Sequence, residues 1–232
     1  MKKFMSVLAI VMMVSILVPV VVQADSYTYN KFNNRGNVSF DYVNDNAPTG
    51  GSYNGAAGEF TVKIADDNDN LMLNDDGGDT FTAFCIEPGQ MYGKGEIERV
   101  SLDSVDGALE AAWLMDTYFD DSKTNTEKLA VQIAIWEAIL DDNDYNLEEG
   151  NFTLKSLAGK ATAAGYLAAL SDVTFTPEMV SQLSANYSVS RMGSNQDFIV
   201  NKGVPEPATM FLLGSGMVGI ATLRKKFAKK NG

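Results

Sequence analysis

The stretch Thr80–Ile86 reads Thr-Phe-Thr-Ala-Phe-Cys-Ile and marks the point where the pattern of the chain changes. Alternate residues of a strand point to opposite faces, so Phe81, Ala83 and Cys85 share one face. Both faces are largely apolar, which predicts a central strand that Pro88-Gly89 brings to an end. Cys85 is the only cysteine of the chain, so a disulfide within the chain is excluded.

The segments before and after this strand also have apolar residues at regular spacing. The predicted strands alternate apolar and polar residues and cover Val38–Val43, Gly58–Ala65, Tyr187–Val189 and Asp197–Val200. The predicted helical segments cover Val105–Phe119, Thr124–Leu140, Leu157–Leu170 and a short turn at Thr176–Glu178. This order indicates an α+β fold, an antiparallel β-sandwich or sheet with a helical insertion, flanked by a signal peptide and a C-terminal transmembrane anchor.

Thr124–Leu140 has the clearest helical pattern. Thr124 or Thr126 can cap its N-terminus, and an acidic residue lies in the first turn. An apolar stripe runs through Leu129, Ile133, Trp136 and Leu140. Gln132 lies three residues after Leu129 and four before Trp136, which places its amide at the edge of that stripe, facing the body.

The first 24 residues are typical of a secretory signal peptide. Two lysines precede the apolar run Val7–Val22, and Ala24 supplies the small residue at the cleavage edge. The alternative is an uncleaved membrane anchor, for which the run is short. We expect an exported chain whose mature part begins at Asp25.

Residues 204–232 form a second terminal segment. The motif at 204–207 precedes an apolar helix predicted over 208–223 and a basic tail over 224–232, which the positive-inside rule keeps cytoplasmic. This order, with Pro205, Glu206 and Pro207, resembles the PEP-CTERM sorting signal of bacterial surface proteins. The resemblance implies a membrane-anchored precursor, an exosortase-type processing protease as partner, and delivery to the cell surface or extracellular matrix. A plain tail anchor is the alternative.

The body of the chain is strongly acidic. Residues 1–24 and 207–232 hold seven of the 18 basic residues and none of the 30 acidic ones, so residues 25–206 carry a net charge of −19. This charge argues against nucleic-acid binding. The absence of histidine and the single cysteine exclude histidine-based triads and imidazole or thiolate zinc sites. We expect no metal and no cofactor. Asp66–Asn70 and Asn74–Asp79 lack EF-hand spacing and are interpreted as solvated loops, with calcium binding through their oxygen atoms as the alternative.

Two motifs resemble the bacterial thioester domain of surface adhesins. One is Phe84-Cys85-Ile86 at the end of a strand, and the other is Gln132–Trp136, Gln-Ile-Ala-Ile-Trp, on a helix. The predicted domain covers residues 25–203. The resemblance implies that the Cys85 thiolate attacks the Gln132 carboxamide, that ammonia leaves, and that a thioester links strand to helix.

The resemblance also implies single-use covalent adhesion rather than a turnover enzyme. An amine on a surface or matrix partner would take the acyl group of Gln132 and release Cys85. The predicted motif and shielding residues, which would keep water from the bond, are Phe84, Ile86, Leu129 and Trp136. Glu87 is predicted to be exposed, with assistance to proton transfer as the alternative.

Other interpretations stay open at this point. Cys85 is a buried free thiol in one of them, with Gln132 an ordinary helix-edge amide. In another, Cys85 pairs with Gln90, five residues later. A structural matrix or biofilm protein, whose crosslink only stabilises the fold or is absent, is the alternative function. A hydrolase is disfavoured because the chain has no histidine base.

Overall fold

The computed structural model of the chain describes residues 25–202 except 45–46, 66–70, 74–77, 91–92, 94, 142–143 and 194. The predicted signal peptide and the predicted sorting signal, with its helix at 208–223, lie outside the described residues. Most of the two acidic loops lies outside them as well. Among the helices that are described, none has the length and apolar content needed to cross a membrane.

The described residues form nine β-strands and four α-helices. The strands are β1 (Asp25–Phe32), β2 (Gly36–Asn44), β3 (Ala47–Ala57), β4 (Phe60–Ala65), β5 (Phe81–Cys85), β6 (Gly95–Val100), β7 (Phe152–Leu154), β8 (Tyr187–Arg191) and β9 (Phe198–Asn201). The helices are α1 (Ala108–Tyr118), α2 (Asn125–Leu140), α3 (Lys160–Ser171) and α4 (Pro177–Asn186).

Six of the strands close into an antiparallel barrel in the order β1-β4-β5-β9-β8-β6. Closure is made by β1, which pairs with β4 on one side and β6 on the other. The predicted α+β class with antiparallel strands is confirmed, and the sheet closes on itself instead of stacking as a sandwich. Closure gives every strand of the barrel a neighbouring strand on each side.

The other three strands form a separate sheet in the order β3-β2-β7. β2 and β3 pair from Gly36 opposite Ala57 to Asn44 opposite Ala47. The sequence predicted β2 but missed β3, because residues 47–57 are rich in Gly, Ser and Asn and lack a clean alternation. This sheet places Phe40 against Trp136 of α2, with ring centroids 4.9 Å apart.

Helix α2 is the central element of the core. Its N-terminus is held by a complete capping box, in which the Thr124 hydroxyl accepts from Glu127 N and the Glu127 carboxylate accepts from Thr124 N. The predicted single apolar stripe understates its burial, since every residue from 128 to 138 is buried. The helix packs between α1, α3, β2 and β5, so it meets protein on all sides.

Helix α4 is longer than the sequence indicated. A short turn was predicted at Thr176–Glu178, and the structure continues it to Asn186. The Thr176 hydroxyl accepts from Met179 N and Pro177 occupies the first turn, which are favourable features of a helix start. Its Leu183 is buried and Met179 packs against the core, so tertiary contacts stabilise a segment with few apolar residues.

Candidate functional site

Cys85 is the last residue of β5 and has a neighbouring strand, β9, on one side only. β5 pairs with β4 as far as Ala83 opposite Phe60, whereas its pairing with β9 reaches Cys85 opposite Phe198. Beyond that pair, Ile86 N donates to Asp197 O at 3.1 Å. The backbone groups of Cys85 therefore point away from β9, toward the place that a longer β4 would occupy.

The side chain of Gln132 fills that place. Cys85 N donates to Gln132 Oε1 at 3.3 Å, and Gln132 Nε2 donates to Cys85 O at 2.9 Å. A carboxamide carries the same donor and acceptor as a peptide group, so it satisfies both backbone groups at once. Gln132 is fully buried and Cys85 is 2% exposed. The structure thus brings the two residues of the two motifs into direct contact.

The sulfur of Cys85 has a polar neighbour that the sequence did not predict. Gln196 Nε2 donates to Cys85 Sγ and also to Glu87 O, at 3.1 Å for the latter. Gln196 is buried and lies two residues before Phe198, the strand partner of Cys85. Gln196 could have been found only by predicting that β5 pairs with β9, because the two strands are far apart in sequence and adjacent only in the sheet.

Burial keeps the thiol protonated. It raises the pKa of the Cys85 thiol to about 12, while the Trp136 side chain and the Glu87 backbone act in the opposite direction. The thiolate is therefore scarce at neutral pH. Any attack by this sulfur requires its proton to leave in the same step.

Of the four predicted shielding residues, Trp136 lies beside the pair. It lines the same cleft as Cys85 and Gln132. The structure buries Phe84, Ile86 and Leu129, but none of these three lines the cleft. Phe84 points to the opposite face of β5 and packs edge to face on Phe119, with ring centroids 5.2 Å apart.

A cleft of about 730 Å³ opens next to the pair. Its wall includes Tyr42 and Tyr53 from the three-stranded sheet, together with Trp136. Asn34, Ser52 and Asn54 line its exposed part. The sequence did not predict these residues, because they come from β2, β3 and the loop before β2, which lie close to α2 only in the folded chain. The volume is within the range of about 300–1,000 Å³ that is usual for ligand sites.

Glu87 is half-buried, so the prediction that it is simply exposed is wrong. Its carboxylate accepts from Gln90 Nε2 at 2.9 Å and from Asp197 N at 3.3 Å. Burial, together with the charge of Asp197, raises the pKa of the Glu87 carboxyl. The Gln90 side chain thus bonds to Glu87, whereas Gln132 contacts Cys85.

The described residues contain no group of three or more Asp, Glu or Cys side chains placed to hold a metal ion. The acidic segments 66–70, 74–77 and 142–143 lie outside these residues, so the interpretation of the loops as solvated stays a prediction.

Comparison with known proteins bears on the C-terminal segment. Residues 203–226 match the family model of the PEP-CTERM protein-sorting motif. The chain carries a PEP-CTERM sorting signal. This match confirms the signal predicted from Pro205, Glu206 and Pro207. A PEP-CTERM motif marks an exported protein whose membrane-anchored precursor is processed by exosortase and sorted to the surface. No curated protein and no solved structure matches the chain.

Proposed function

We propose that this surface-sorted protein forms a thioester between Cys85 and Gln132 and uses it for covalent attachment. The observation that carries the proposal is the pair of hydrogen bonds by which the Gln132 carboxamide is held against the Cys85 backbone, at 2.9 and 3.3 Å. Two buried groups held in this way lose no further freedom on reacting, which favours an intramolecular step.

Thioester formation needs no further reactant, because each bond that forms is matched by a bond that breaks. The Cys85 sulfur attacks the carbonyl carbon of Gln132, the S–C bond forms and the C–N bond breaks. The thiol proton goes to the departing nitrogen, which leaves as ammonia. Gln196, whose Nε2 donates to Cys85 Sγ, supports the proposal because a donor at sulfur stabilises developing negative charge.

The product would be an acyl donor that faces the cleft. An amine on a partner would attack the Gln132 carbonyl carbon, form an amide and release Cys85 as the thiol. Each molecule would react once, so this is attachment and not turnover. Trp136 and the walls of the cleft would limit the access of water to the bond.

Intact mass measured on purified residues 25–203 tests the crosslink. We expect a mass about 17 Da below that calculated from the sequence, because ammonia is lost. Cys85→Ala and Gln132→Ala should both show the full calculated mass. Gln90→Ala is the matched control, since it removes a nearby amide and should keep the deficit. A wild-type chain at full mass would refute the proposal.

A structural role is the second candidate, and the burial of the pair favours it. Gln132 is fully buried and already replaces a missing strand neighbour of Cys85. In this case the bond only stiffens a matrix or biofilm protein. Methylamine separates the two functions: attachment predicts an adduct at Gln132 of the wild type, and stiffening predicts the mass deficit without an adduct.

A further inference from the structure

The described residues that line the cleft carry no charged side chain. They are aromatic, amide, hydroxyl or small residues, together with Cys85. The nearby carboxylates are engaged: Glu59 pairs with Arg35, Glu87 accepts from Gln90 and from Asp197 N, and Asp41 accepts from Ser52 and pairs with Lys155. An uncharged cleft contrasts with a body of net charge −19, so the cleft differs chemically from the surface around it.

The aromatic wall of the cleft is fixed by packing. Tyr53 stacks on Phe40 with centroids 5.1 Å apart and rings 25° from parallel, and its hydroxyl donates to Ala56 O at 2.6 Å. Trp136 packs against both rings, with its centroid 5.9 Å from that of Tyr53 and 4.9 Å from that of Phe40. A wall of this kind offers flat apolar faces without a cost in side-chain ordering.

The amides complete the recognition chemistry. Asn34 and Asn54 are exposed at the cleft, and each carries two donors and an acceptor. Ligands that combine flat C–H faces with many neutral hydroxyls match such a lining. A lysine ammonium would be desolvated there, and no carboxylate among the lining residues is present to pair with it. An acidic polymer would be repelled by the body.

We propose that the cleft binds a neutral carbohydrate chain and so selects the partner that reaches Cys85 and Gln132. The inference rests on the proposed function and adds a docking step: the neutral glycan binds in the cleft, and the amine that attacks the Gln132 carbonyl carbon belongs to the partner that carries this glycan. A neutral glycan of the producing cells and one from another organism share this chemistry, and the experiment separates the two sources.

Binding is measured by calorimetry on the Cys85→Ala chain, which has no crosslink to form. The probes are cellohexaose, xylohexaose, mannohexaose and the neutral exopolysaccharide purified from producing cells. We expect saturable binding of at least one probe. Binding of the cell-derived polymer alone identifies a self-made partner, and binding of a purchased oligosaccharide identifies a neutral glycan that need not be self-made.

Variants locate the binding in the cleft. Tyr53→Ala should weaken it at least about tenfold, as expected for a central aromatic contact. Asn54→Ala should weaken it too, and because Asn54 is exposed this variant keeps the test decisive if Tyr53→Ala does not fold. Asn37→Ala is the matched control, an exposed asparagine on β2 that does not line the cleft, and should bind like the parent.

Either of two results with the glycan probes would overturn the proposal: no binding of any probe, or binding that is unchanged in both cleft variants. A lysine-bearing peptide that binds in place of the glycans, with the same sensitivity to Tyr53→Ala and Asn54→Ala, would also overturn it in favour of a protein partner. A thioester that does not form is a separate result. The wild-type protein would then show the full calculated mass, while glycan binding by the Cys85→Ala chain would be unaffected.

Discussion

Glu137, near the C-terminal end of α2, should make the protein less stable as the pH rises. The side chain is fully buried, and neither carboxylate oxygen makes a hydrogen bond of ordinary geometry among the described residues. Burial, then the charges of Asp141 and Asp144, raises the pKa of this carboxyl from 4.5 to about 8. The folded chain therefore keeps a proton that the unfolded chain releases.

The direction and size of the effect follow from that difference. Between pH 4.5 and 8 the unfolded state binds fewer protons than the folded state, so the free energy of unfolding falls as the pH rises. The contribution is complete below about pH 4.5 and is lost by about pH 8. Between pH 5 and 9 the loss is about 4 kcal/mol, a large part of the about 5–15 kcal/mol that a domain commonly has.

Glu137→Gln removes the titrating group and should remove this loss. Urea unfolding of residues 25–203 is followed by tryptophan fluorescence at pH 5 and pH 9, in a Cys85→Ala background that excludes thioester chemistry. The change in stability caused by the substitution should be more favourable at pH 9 by about 4 kcal/mol. Taking the difference between the two pH values cancels any pH-independent cost of the buried amide.

Glu178→Gln is the matched control, because Glu178 is an exposed glutamate at the start of α4. Its stability should follow that of the parent at both pH values. If Glu137→Gln also runs parallel to the parent, the raised pKa of Glu137 is refuted, and so is the view of the α2 end as a buried, protonated site.

Further predictions concern the helix ends, the core and the export signal. Thr124→Ala breaks the capping box of the site helix and should cost about 1 kcal/mol in urea unfolding, which Thr124→Ser largely restores. Gly107→Ala should cost more than about 2 kcal/mol, since φ is +73° and the new Cβ would lie 2.0 Å from Ala138 O. Gly165→Ala should instead stabilise α3 by about 0.5–1 kcal/mol, because no atom lies within 4 Å of the new Cβ. Equal effects of the two glycine substitutions on stability would contradict the close packing of Gly107 on α2. Replacement of Pro205–Pro207 by alanines should leave unprocessed chain in the membrane fraction on immunoblots, and normal release would contradict the role of the sorting motif.

The central helix and strand of this fold could be predicted from sequence because each carries its own period. Thr124–Leu140 has a cap and an apolar repeat, and Thr80–Ile86 is bounded by a proline and glycine. Strand β3 could not be predicted, since its residues favour turns and its pairing with β2 stabilises it. Barrel closure was also missed, because it depends on the pairing of β1 with β6, in which Asp25 lies opposite Ile97, and neither strand was predicted from the sequence.

The residues of the candidate site also divide into those that could be predicted from sequence and those that could not. Cys85 and Gln132 were found because each lies within a recognisable motif, and the structure places them in contact. Gln196 and the cleft residues Tyr53 and Asn54 carry no local signal. They reach the site through strand pairing over long sequence distances, which only the fold defines.

The state of Cys85 and Gln132 is the central claim, and peptide mapping tests it most directly. Trypsin cleavage at Lys and Arg places Cys85 in residues 64–94 and Gln132 in residues 129–155. We expect one crosslinked species at the summed mass of the two peptides less about 17 Da, seen after digestion near pH 6 and absent in Gln132→Ala. Two separate peptides, with Cys85 as a free thiol and Gln132 as an intact amide, would contradict it.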